Sequence, residues 1–387
     1  MPLPLLGALV VFGIGGLALM LHLMGWTRRP AYPDAEAARA DFLKDYPNAS
    51  PAEVLLADDR RAALFPLTDG LGYAAPFGDG RLTRWLRPGD VRAIKTNAKG
   101  LDIRLSDYTA PSRDTITSLC MGAGSVVAGI AFGFIAYGCF HWRWQFRLTD
   151  LGYHWTAILL CFVLDDLRYY AFHRIAHRCR WVWASHVNHH SSQHYNLSTA
   201  LRQTWTGTFT FMMVLKVPLI LIGFSPEVVI FCGGLNLLYQ FWIHTEAIDR
   251  MPRWFEAVMN TPSHHRVHHG RNARYLDANY AGTLIIWDKM FGTFVPEQDA
   301  EKVEYGLVRN LGTHNLIRVA FHEWVGIFRD VFRSGLTWRD RFMYMFAPPG
   351  WSHDGSRETS ESIKADYVTR HPEASGAPGL PEKGACK

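Results

Sequence analysis

Charged side chains are scarce in this sequence. They make up 19% of its 387 residues, against 48% for hydrophobic residues, and the net charge is only +5. Because no basic face is interleaved with aromatic residues, we expect no nucleic-acid partner. The six cysteines form no C-x-x-C pair, which argues against a disulfide framework and a thiolate zinc site. The composition indicates several membrane spans, with the polar parts in a reducing compartment.

Histidine and cysteine are both absent from residues 27–115. This polar segment therefore cannot hold a histidine-ligated haem or an iron–sulfur cluster. Asp34 is a candidate cap for one helix, and residues 50–53 (Ser-Pro-Ala-Glu) are typical of the start of another. Residues 91–107 alternate around a turn at 97–100, which predicts a β-hairpin. We expect a small accessory α+β segment here.

Long apolar runs occur five times. Each is close to the roughly 20 residues that a helix needs to cross a bilayer. They lie at residues 2–26, 116–140, 152–172, 205–224 and 226–246. The first lacks the basic start and cleavage site of a signal peptide, so we expect an uncleaved signal anchor. Arginines near the span ends gather on one side, which the positive-inside rule makes cytoplasmic.

The predicted architecture is an all-α integral membrane protein with about five inserted helices and a cytoplasmic helical cap. We expect it in a bacterial inner membrane or the endoplasmic reticulum. Residues 1–26 are the anchor, 27–115 the accessory segment and 116–310 the membrane domain. Residues 311–351 carry a pattern typical of an amphipathic helix in the membrane interface. Residues 352–387 are rich in Ser, Glu, Gly and Pro, which predicts disorder.

Histidine is plentiful. Eighteen are present, and many gather in three clusters with helical spacing. The first cluster is H-x-x-x-H and the other two are H-x-x-H-H. Their members are His173 and His177, then His186, His189 and His190, and finally His265, His268 and His269. Because residues three or four apart share a helix face, we expect each cluster to aim its imidazoles at one point.

Each cluster follows an apolar run on the same predicted side of the membrane. His244 closes another run, and His264 precedes the last cluster. The clusters and His244 supply nine candidate ligands, with His264 as a tenth candidate. These are too many for one transition metal and suit two, and imidazole binds iron, zinc, copper or nickel. We predict two irons that react with dioxygen, because the clusters abut a membrane that presents lipid.

Three other polar residues are candidates for the site. Asp166 lies seven residues before His173 in an apolar run, where an ionisable group is costly. We predict it as a catalytic-site residue that orients a ligand histidine through the free ring nitrogen of that histidine. The alternative is a structural pair with Arg168. Asp277 and Asn279 are candidates either for similar support of a ligand or for forming a turn.

The order of the three histidine clusters resembles the signature of the fatty acid hydroxylase and sterol desaturase superfamily. A closer similarity to its ether-lipid monooxygenases, including bacterial members, runs through SHVNHHSSQHYNLSTALRQ, LYQFWIHTE, NTPSHHRVHHGRN and NYAGTLIIWDKMFGTF. The resemblance covers residues 150–310. It implies a helical membrane domain with a cytoplasmic di-iron centre held by the nine histidines. Asp166 stands at the position of an acidic residue of the superfamily.

The resemblance also bears on the reductant. Ether-lipid members use tetrahydrobiopterin and carry Glu directly after the second histidine of the first cluster, where this sequence has Arg178. Other members carry a fused haem domain, which residues 27–115 cannot supply. The electrons must therefore come from tetrahydrobiopterin or from a separate redox partner.

The sequence thus predicts a membrane-bound di-iron monooxygenase that hydroxylates a lipid C–H bond with dioxygen. The resemblance extends this prediction to the cleavage of ether lipids. Two alternatives stay open. One is a sterol or fatty acyl hydroxylase or desaturase, and the other is a non-catalytic membrane protein that handles metal.

Overall fold

The structure is a computed structural model that describes residues 31–46, 49–77, 80–86, 91–97, 100–105 and 111–382. The predicted anchor at residues 2–26 lies outside them. The chain divides into two compact units. One comprises Met1–Ala110 with Glu246–Asp249, and the other comprises Pro111–Thr245 with Arg250–Lys387.

The first unit combines one helix with antiparallel strands. Helix α1 (Ala35–Asp45) begins after Asp34, whose Oδ1 accepts a hydrogen bond from the Ala37 amide at 2.8 Å. This confirms the predicted cap. The strands are β1 (Leu55–Leu56), β2 (Ala63–Leu67), β3 (Gly70–Phe77), β4 (Gly80–Leu86), β5 (Val91–Asn97) and β6 (Gly100–Leu105). Phe42 of α1 stacks on Phe65 of β2 in the buried core, with ring centroids 4.5 Å apart.

The sheet differs in part from the prediction. Strands β1 to β4 form one sheet in sequence order, while β5 and β6 form a separate hairpin. The hairpin confirms the prediction, since Asn97 pairs with Gly100 at its turn. The helix predicted to start at residues 50–53 is wrong, because strand β1 follows directly and pairs with β2. Tertiary pairing here overrides a weak local capping signal.

The second unit is helical. Its α-helices are α2 (Pro111–Trp144), α3 (Trp155–Arg178), α4 (Arg180–His190), α5 (Leu197–Ala200), α6 (Val217–Ile222), α7 (Pro226–Trp242), α8 (Arg253–Glu256), α9 (Pro262–His268), α10 (Ile286–Met290), α11 (Leu316–Val331), α12 (Trp338–Phe346) and α13 (Ser360–Arg370). Helices α3 and α7 pack on each other, and their apolar core includes Cys161, Val229 and Cys232. This packing brings their histidine-bearing ends to the same region.

Within the described part of the chain, one helix is long and apolar enough to cross a membrane, over Arg113–Trp144 of α2. The five predicted spans are therefore not confirmed. The run at 205–224 is not one helix but two 3-10 helices, Gly207–Thr210 and Met212–Lys216, followed by α6. Phe211 has a left-handed backbone, with φ of 57°. This conformation interrupts a right-handed helix.

Helix α2 is tied to the histidine-bearing helix α4 by a buried ion pair. Arg202 Nη1 donates to Asp114 Oδ1 at 2.9 Å, and Arg202 Nε donates to the Asn188 carbonyl at 3.2 Å. Arg202 and Asp114 are both almost fully buried. Breaking such a pair costs about 3–5 kcal/mol, because it leaves an uncompensated buried charge. The pair therefore holds the carboxyl end of α4 against the candidate span.

Helix α11 has two apolar faces. Val319, Trp324 and Ile327 are buried against neighbouring helices, whereas Ile317 and Phe328 are 60% and 49% exposed. One face therefore packs into the unit and the other lies outward. The predicted location of this helix in the membrane interface stays a prediction.

Residues 352–382 differ from the predicted disorder. They contain helix α13 and a short 3-10 helix after it. The side chain of Thr359 caps α13 in a capping box, and Val368, Ala374 and Leu380 form a buried apolar cluster. The polar composition suggested a segment with too little apolar surface to order. The cap and the cluster supply the contacts that offset the ordering cost.

Candidate metal centre

Five imidazoles meet at one point. They offer one ring nitrogen each, and these nitrogens all lie within 4.8 Å of one another. The members are His173, His177, His186, His190 and His268. His186 Nε2 lies 2.8 Å from His173 Nε2 and 3.2 Å from His190 Nε2. We call this set the five-histidine group.

Four further imidazoles form a four-histidine group. Its members are His189, His244, His265 and His269. His244 Nε2 lies 3.1 Å from His189 Nε2 and 3.1 Å from His265 Nε2. The two groups adjoin, since the His190 ring stacks on the His269 ring with centroids 4.4 Å apart. Separate stretches of chain thus converge on two neighbouring points.

Each H-x-x-H-H cluster divides between the two groups, which corrects the prediction that one cluster serves one point. In each cluster the middle histidine belongs to a different group from the outer two. The middle histidine is His189 in α4 and His268 in α9. Successive residues of an α-helix are rotated by about 100°. The outer histidines therefore point within about 40° of each other, while the middle one points about 60–100° away. Helices α4 and α9 each contribute to both groups.

The state of the imidazoles fits metal binding. Burial lowers the pKa of His173 to about 3 and holds the pKa of His186 and His268 well below the usual value. Neutral imidazole is the form that ligates metals. The Nε2 atoms of His177, His268 and His269 are buried without a hydrogen-bond partner among the described residues. Because buried polar atoms are normally paired, these nitrogens indicate ligands that a metal would engage.

The donor set also restricts the metal. Within the described residues, neither group includes a carboxylate or a thiolate. Structural zinc sites hold four ligands and commonly include cysteine, so the five-histidine group does not fit one. Nitrogen-only sets suit iron, copper, nickel or zinc. The two groups therefore suit a pair of transition-metal ions.

The loop after α9 supplies acceptors to two ligand histidines. His268 Nδ1 donates to the Ala278 carbonyl at 2.9 Å, and His173 Nδ1 donates to the Tyr280 carbonyl at 2.7 Å. Each bond keeps the proton on Nδ1 and leaves the Nε2 lone pair for a metal. The loop thereby sets both the tautomer and the ring orientation of its ligands.

Asp277 and Asn279 shape the same loop. Both have left-handed backbones, with φ of 51° and 54°, a conformation that Asp and Asn tolerate. Asp277 also accepts a hydrogen bond from His177 Nδ1 at 3.2 Å. Asn279 donates to the His264 and Val295 carbonyls and accepts from the Val295 amide. Asp277 therefore both turns the chain and supports a ligand, whereas Asn279 fixes the loop.

The histidine-bearing helices fall within a match to the family model for fatty acid hydroxylase, which covers residues 158–293. The chain carries a fatty acid hydroxylase domain. The domain includes all nine histidines of the two groups. The predicted superfamily is thereby confirmed.

The hydroxylase domain is similar to curated alkylglycerol monooxygenases. The chain is 41% identical over 261 residues to the Xenopus tropicalis protein, covering 65% of this chain and 54% of that protein. It is 43% identical over 241 residues to the Homo sapiens protein, covering 62% and 53%. Ornithine lipid hydroxylase OlsE of Rhizobium tropici is 25% identical over 203 residues, covering 50% and 56%. The chain thus spans about half the length of the curated relatives it matches, and no solved structure matches it.

Asp166 supports the fold of the hydroxylase domain. Its Oδ1 accepts from Asn236 Nδ2 at 2.6 Å and the Thr283 amide at 2.8 Å. Its Oδ2 accepts from the Leu284 amide and Trp287 Nε1, both at 2.9 Å. None of these described partners is an imidazole, which corrects the predicted role in catalysis or ligand orientation. Asp166 instead fastens α3 to α7 and to the segment before α10.

The predicted alternative for Asp166 is wrong as well. Arg168 Nε lies 2.8 Å from Asp165 Oδ1, and this bond pairs Arg168 with the neighbouring carboxylate. Adjacent residues on a helix point about 100° apart. Asp165 and Asp166 therefore contact different neighbours. The sequence pattern did not indicate which of the two would pair with Arg168.

His264 lies outside both groups. Its ring packs edge-on against Phe294 with centroids 5.2 Å apart, and its Nε2 lies 4.0 Å from Glu256 Oε2. As the neighbour of His265 in α9, it points about 100° away from that ligand. The other described histidines outside the groups are His141, His154, His194, His314, His322, His353 and His371.

Asp288 supports the site and was not among the predicted residues. Its buried carboxylate accepts from the amides of Tyr280 and Ala281 at 2.8 Å each, and from the Thr293 hydroxyl at 2.6 Å. It thereby holds the peptide whose carbonyl orients His173. The available signal was a lone acid within the apolar stretch LIIWDKMF.

Proposed function

We propose that this chain is a membrane-bound di-iron monooxygenase that hydroxylates a C–H bond of an ether lipid with dioxygen. The observation that carries the proposal is the pair of adjoining histidine groups, each with ring nitrogens within 4.8 Å of one another. The similarity to alkylglycerol monooxygenases, 41% over 261 residues for one of them, supports the ether lipid as substrate.

Bound iron would supply the dioxygen chemistry that replaces a C–H hydrogen with a hydroxyl group. The residues of the chain bind and orient. The Tyr280 and Ala278 carbonyls hold the Nδ1 protons of His173 and His268, so the opposite nitrogens stay available as ligands. Burial of both groups keeps bulk water from a reactive site, which limits side reactions.

The product depends on the carbon that is hydroxylated. A carbon beside an ether oxygen becomes a hemiacetal, which separates into a fatty aldehyde and an alcohol. Each turnover consumes dioxygen, a pair of electrons and a pair of protons, and releases water. The electrons come from tetrahydrobiopterin or from a separate redox partner. The protein supplies binding and electrostatics, and the metal supplies the oxidising chemistry.

The proposal places the metal centre at the cytoplasmic edge of a membrane. Helix α2 supports it as the candidate span, and the Asp114–Arg202 pair joins that helix to α4. In a variant whose six native cysteines are replaced by serine, a cysteine introduced at the exposed Arg370 should resist a membrane-impermeant thiol reagent in intact cells and react after lysis. Reaction in intact cells would contradict the orientation.

The ligand assignment is tested by iron content and by product. The purified, iron-loaded protein, given alkylglycerol, dioxygen and a reductant, should form fatty aldehyde. His189→Ala and His268→Ala remove one ligand from each group, so both should lower the iron per chain and the aldehyde formed. His264→Ala lies outside both groups, so it should retain the wild-type iron content and aldehyde formation. Unchanged iron and activity in the first two variants would refute the assignment.

A second candidate is a hydroxylase or desaturase of another lipid. It is favoured by 25% identity to ornithine lipid hydroxylase OlsE and by 27% identity over 147 residues to cholesterol 25-hydroxylase of Rattus norvegicus. It predicts a hydroxylated or desaturated lipid and no aldehyde from alkylglycerol. A non-catalytic metal-handling protein would bind metal without consuming dioxygen.

A further inference from the structure

Residues 352–382, which we call the carboxy-terminal strap, are fastened first to Asp330 of helix α11 and through it to helix α4. Arg357 Nη1 and Nη2 donate to the two oxygens of Asp330 at 2.6 and 2.7 Å. Arg180, the first residue of α4, donates to the same carboxylate at 2.7 Å. Asp330 and Arg180 are buried. The start of the strap is therefore bound to the helix that carries the second histidine cluster.

The strap next reaches the end of the first histidine cluster. Glu361 in the first turn of α13 pairs with the Arg178 guanidinium. Arg178 Nε lies 3.9 Å from one oxygen of Asp277, and the other oxygen accepts from His177 Nδ1 at 3.2 Å. One line of contacts thus runs from the strap to a ligand of the five-histidine group.

Helix α13 also carries an ion pair in solvent, away from this line of contacts. Arg370 in its last turn donates to Asp366, and both side chains are more than half exposed. Because Arg370 comes nine residues after Glu361, it lies about two and a half turns further along the helix. A change at Arg370 therefore leaves the contacts of Glu361 intact.

The last part of the strap packs on the loop that orients the ligands. Gly379 has φ of 84°, and a Cβ added there would lie 2.3 Å from the Arg274 carbonyl oxygen and 3.1 Å from the Val295 side chain. Only glycine permits so close an approach at this backbone angle. Val295 is also the residue to which Asn279 bonds. The strap therefore contacts the amino end of the loop at Arg274, and it also contacts Val295, the residue to which the loop is bonded through Asn279.

We propose that the carboxy-terminal strap is a positioning element of the metal centre, acting through the Glu361–Arg178 ion pair on Asp277 and through Asp277 on His177. The inference rests on the proposed metal function. With Asp277 held as an acceptor, His177 keeps its proton on Nδ1, and its unpartnered Nε2 remains a ligand atom. Only the five-histidine group contains His177, so the strap governs retention of one ion and not of the other.

The test measures iron release from the full-length protein in detergent with excess chelator. Glu361→Gln should release one of the two ions about 3- to 10-fold faster. This is less than the 10- to 100-fold expected for Asp277→Asn, which contacts the ligand directly. Glu361→Asp keeps the carboxylate and should release that ion more slowly than Glu361→Gln does. Arg370→Gln, on the solvent side of α13, is the matched control and should release both ions as wild type does.

Mössbauer spectra of the iron-57 protein add a readout that does not depend on turnover. In Glu361→Gln, the signal of one ion should change and that of the other should not. In the metal-free protein, hydrogen exchange of the peptide spanning 272–280 should be faster in Glu361→Gln than in Arg370→Gln.

The outcomes separate this inference from the proposed function. A wild-type protein that holds no iron would overturn the proposed function, and the inference with it. Two tightly held ions in wild type, with unchanged release and exchange in Glu361→Gln, would overturn the strap alone. Equal acceleration for both ions would also overturn it, because that result indicates general loosening rather than positioning of His177.

Discussion

Asp166→Asn is the sharpest test of how the hydroxylase domain holds together. The native carboxylate accepts four hydrogen bonds, two on each oxygen, and it is fully buried. Asparagine keeps the shape of the side chain but replaces one carboxylate oxygen with an NH₂ group. Two of the four donors then lose their acceptor, because they face the NH₂ group. Each buried donor left unpaired costs about 1–3 kcal/mol. The variant should lose about 2–6 kcal/mol of unfolding free energy, a large part of a typical total of about 5–15 kcal/mol.

The assay is thermal unfolding in detergent, with iron per folded chain measured alongside. Trp287→Phe removes one of the four donors and should cost about 1 kcal/mol alone. Added to Asp166→Asn it should cost less than it does alone, because it removes a donor that had lost its acceptor. The surviving folded protein should keep its iron, because Asp166 contacts no ligand among the described residues.

Two results would refute this reasoning. One is an Asp166→Asn protein that unfolds at the wild-type temperature but has lost activity, which would restore the predicted catalytic role. The other is strict additivity with Trp287→Phe, which would show that the two side chains do not share a hydrogen bond.

Two other predictions concern the imidazoles and their loop. Burial lowers the pKa of His173 and His186 below the unfolded value of about 6.5, so the unfolded chain binds more protons as the pH falls. The free energy of unfolding of the metal-free protein should therefore be constant above about pH 6.5. Below that pH it should fall by about 1.4 kcal/mol per pH unit for each buried histidine that stays neutral. Urea unfolding at pH 7.5, 6.5 and 5.5 measures this, and an unchanged free energy would contradict it. Asn279→Ala should unfold more readily than Asn279→Gly by about 1 kcal/mol, because alanine is strained at a left-handed φ; equal midpoints in thermal unfolding would contradict it.

The gathering of the candidate ligand histidines was predictable because the relevant spacing is local. His173 and His177 share a face of α3 whatever surrounds the helix, and the same holds for the outer histidines of α4 and α9. His244 was found from its place at the end of an apolar run. His264, the tenth candidate, lies outside both groups, because adjacency in sequence places it on a different side of α9 from His265.

The membrane spans and the carboxy-terminal strap were harder to predict from composition. The run at 205–224 has the apolar content of a span, yet its backbone breaks at Phe211. The strap has the polar content of a disordered tail, yet it is ordered by contacts with distant residues such as Asp330. Composition reports how much apolar surface a segment has, but it does not report which other segments will cover it.

The sequence alone identified the nine histidines that gather in the two groups and the superfamily, because helical spacing is a property of short stretches. Only the tertiary structure decided that His189 belongs to the four-histidine group and His268 to the five-histidine group. It also decided which residues orient the candidate ligands. Asp277 and Asp166 owe their roles to partners up to 121 residues away in the chain. Such roles depend on how the helices pack, and packing is decided by the whole set of contacts rather than by any local pattern.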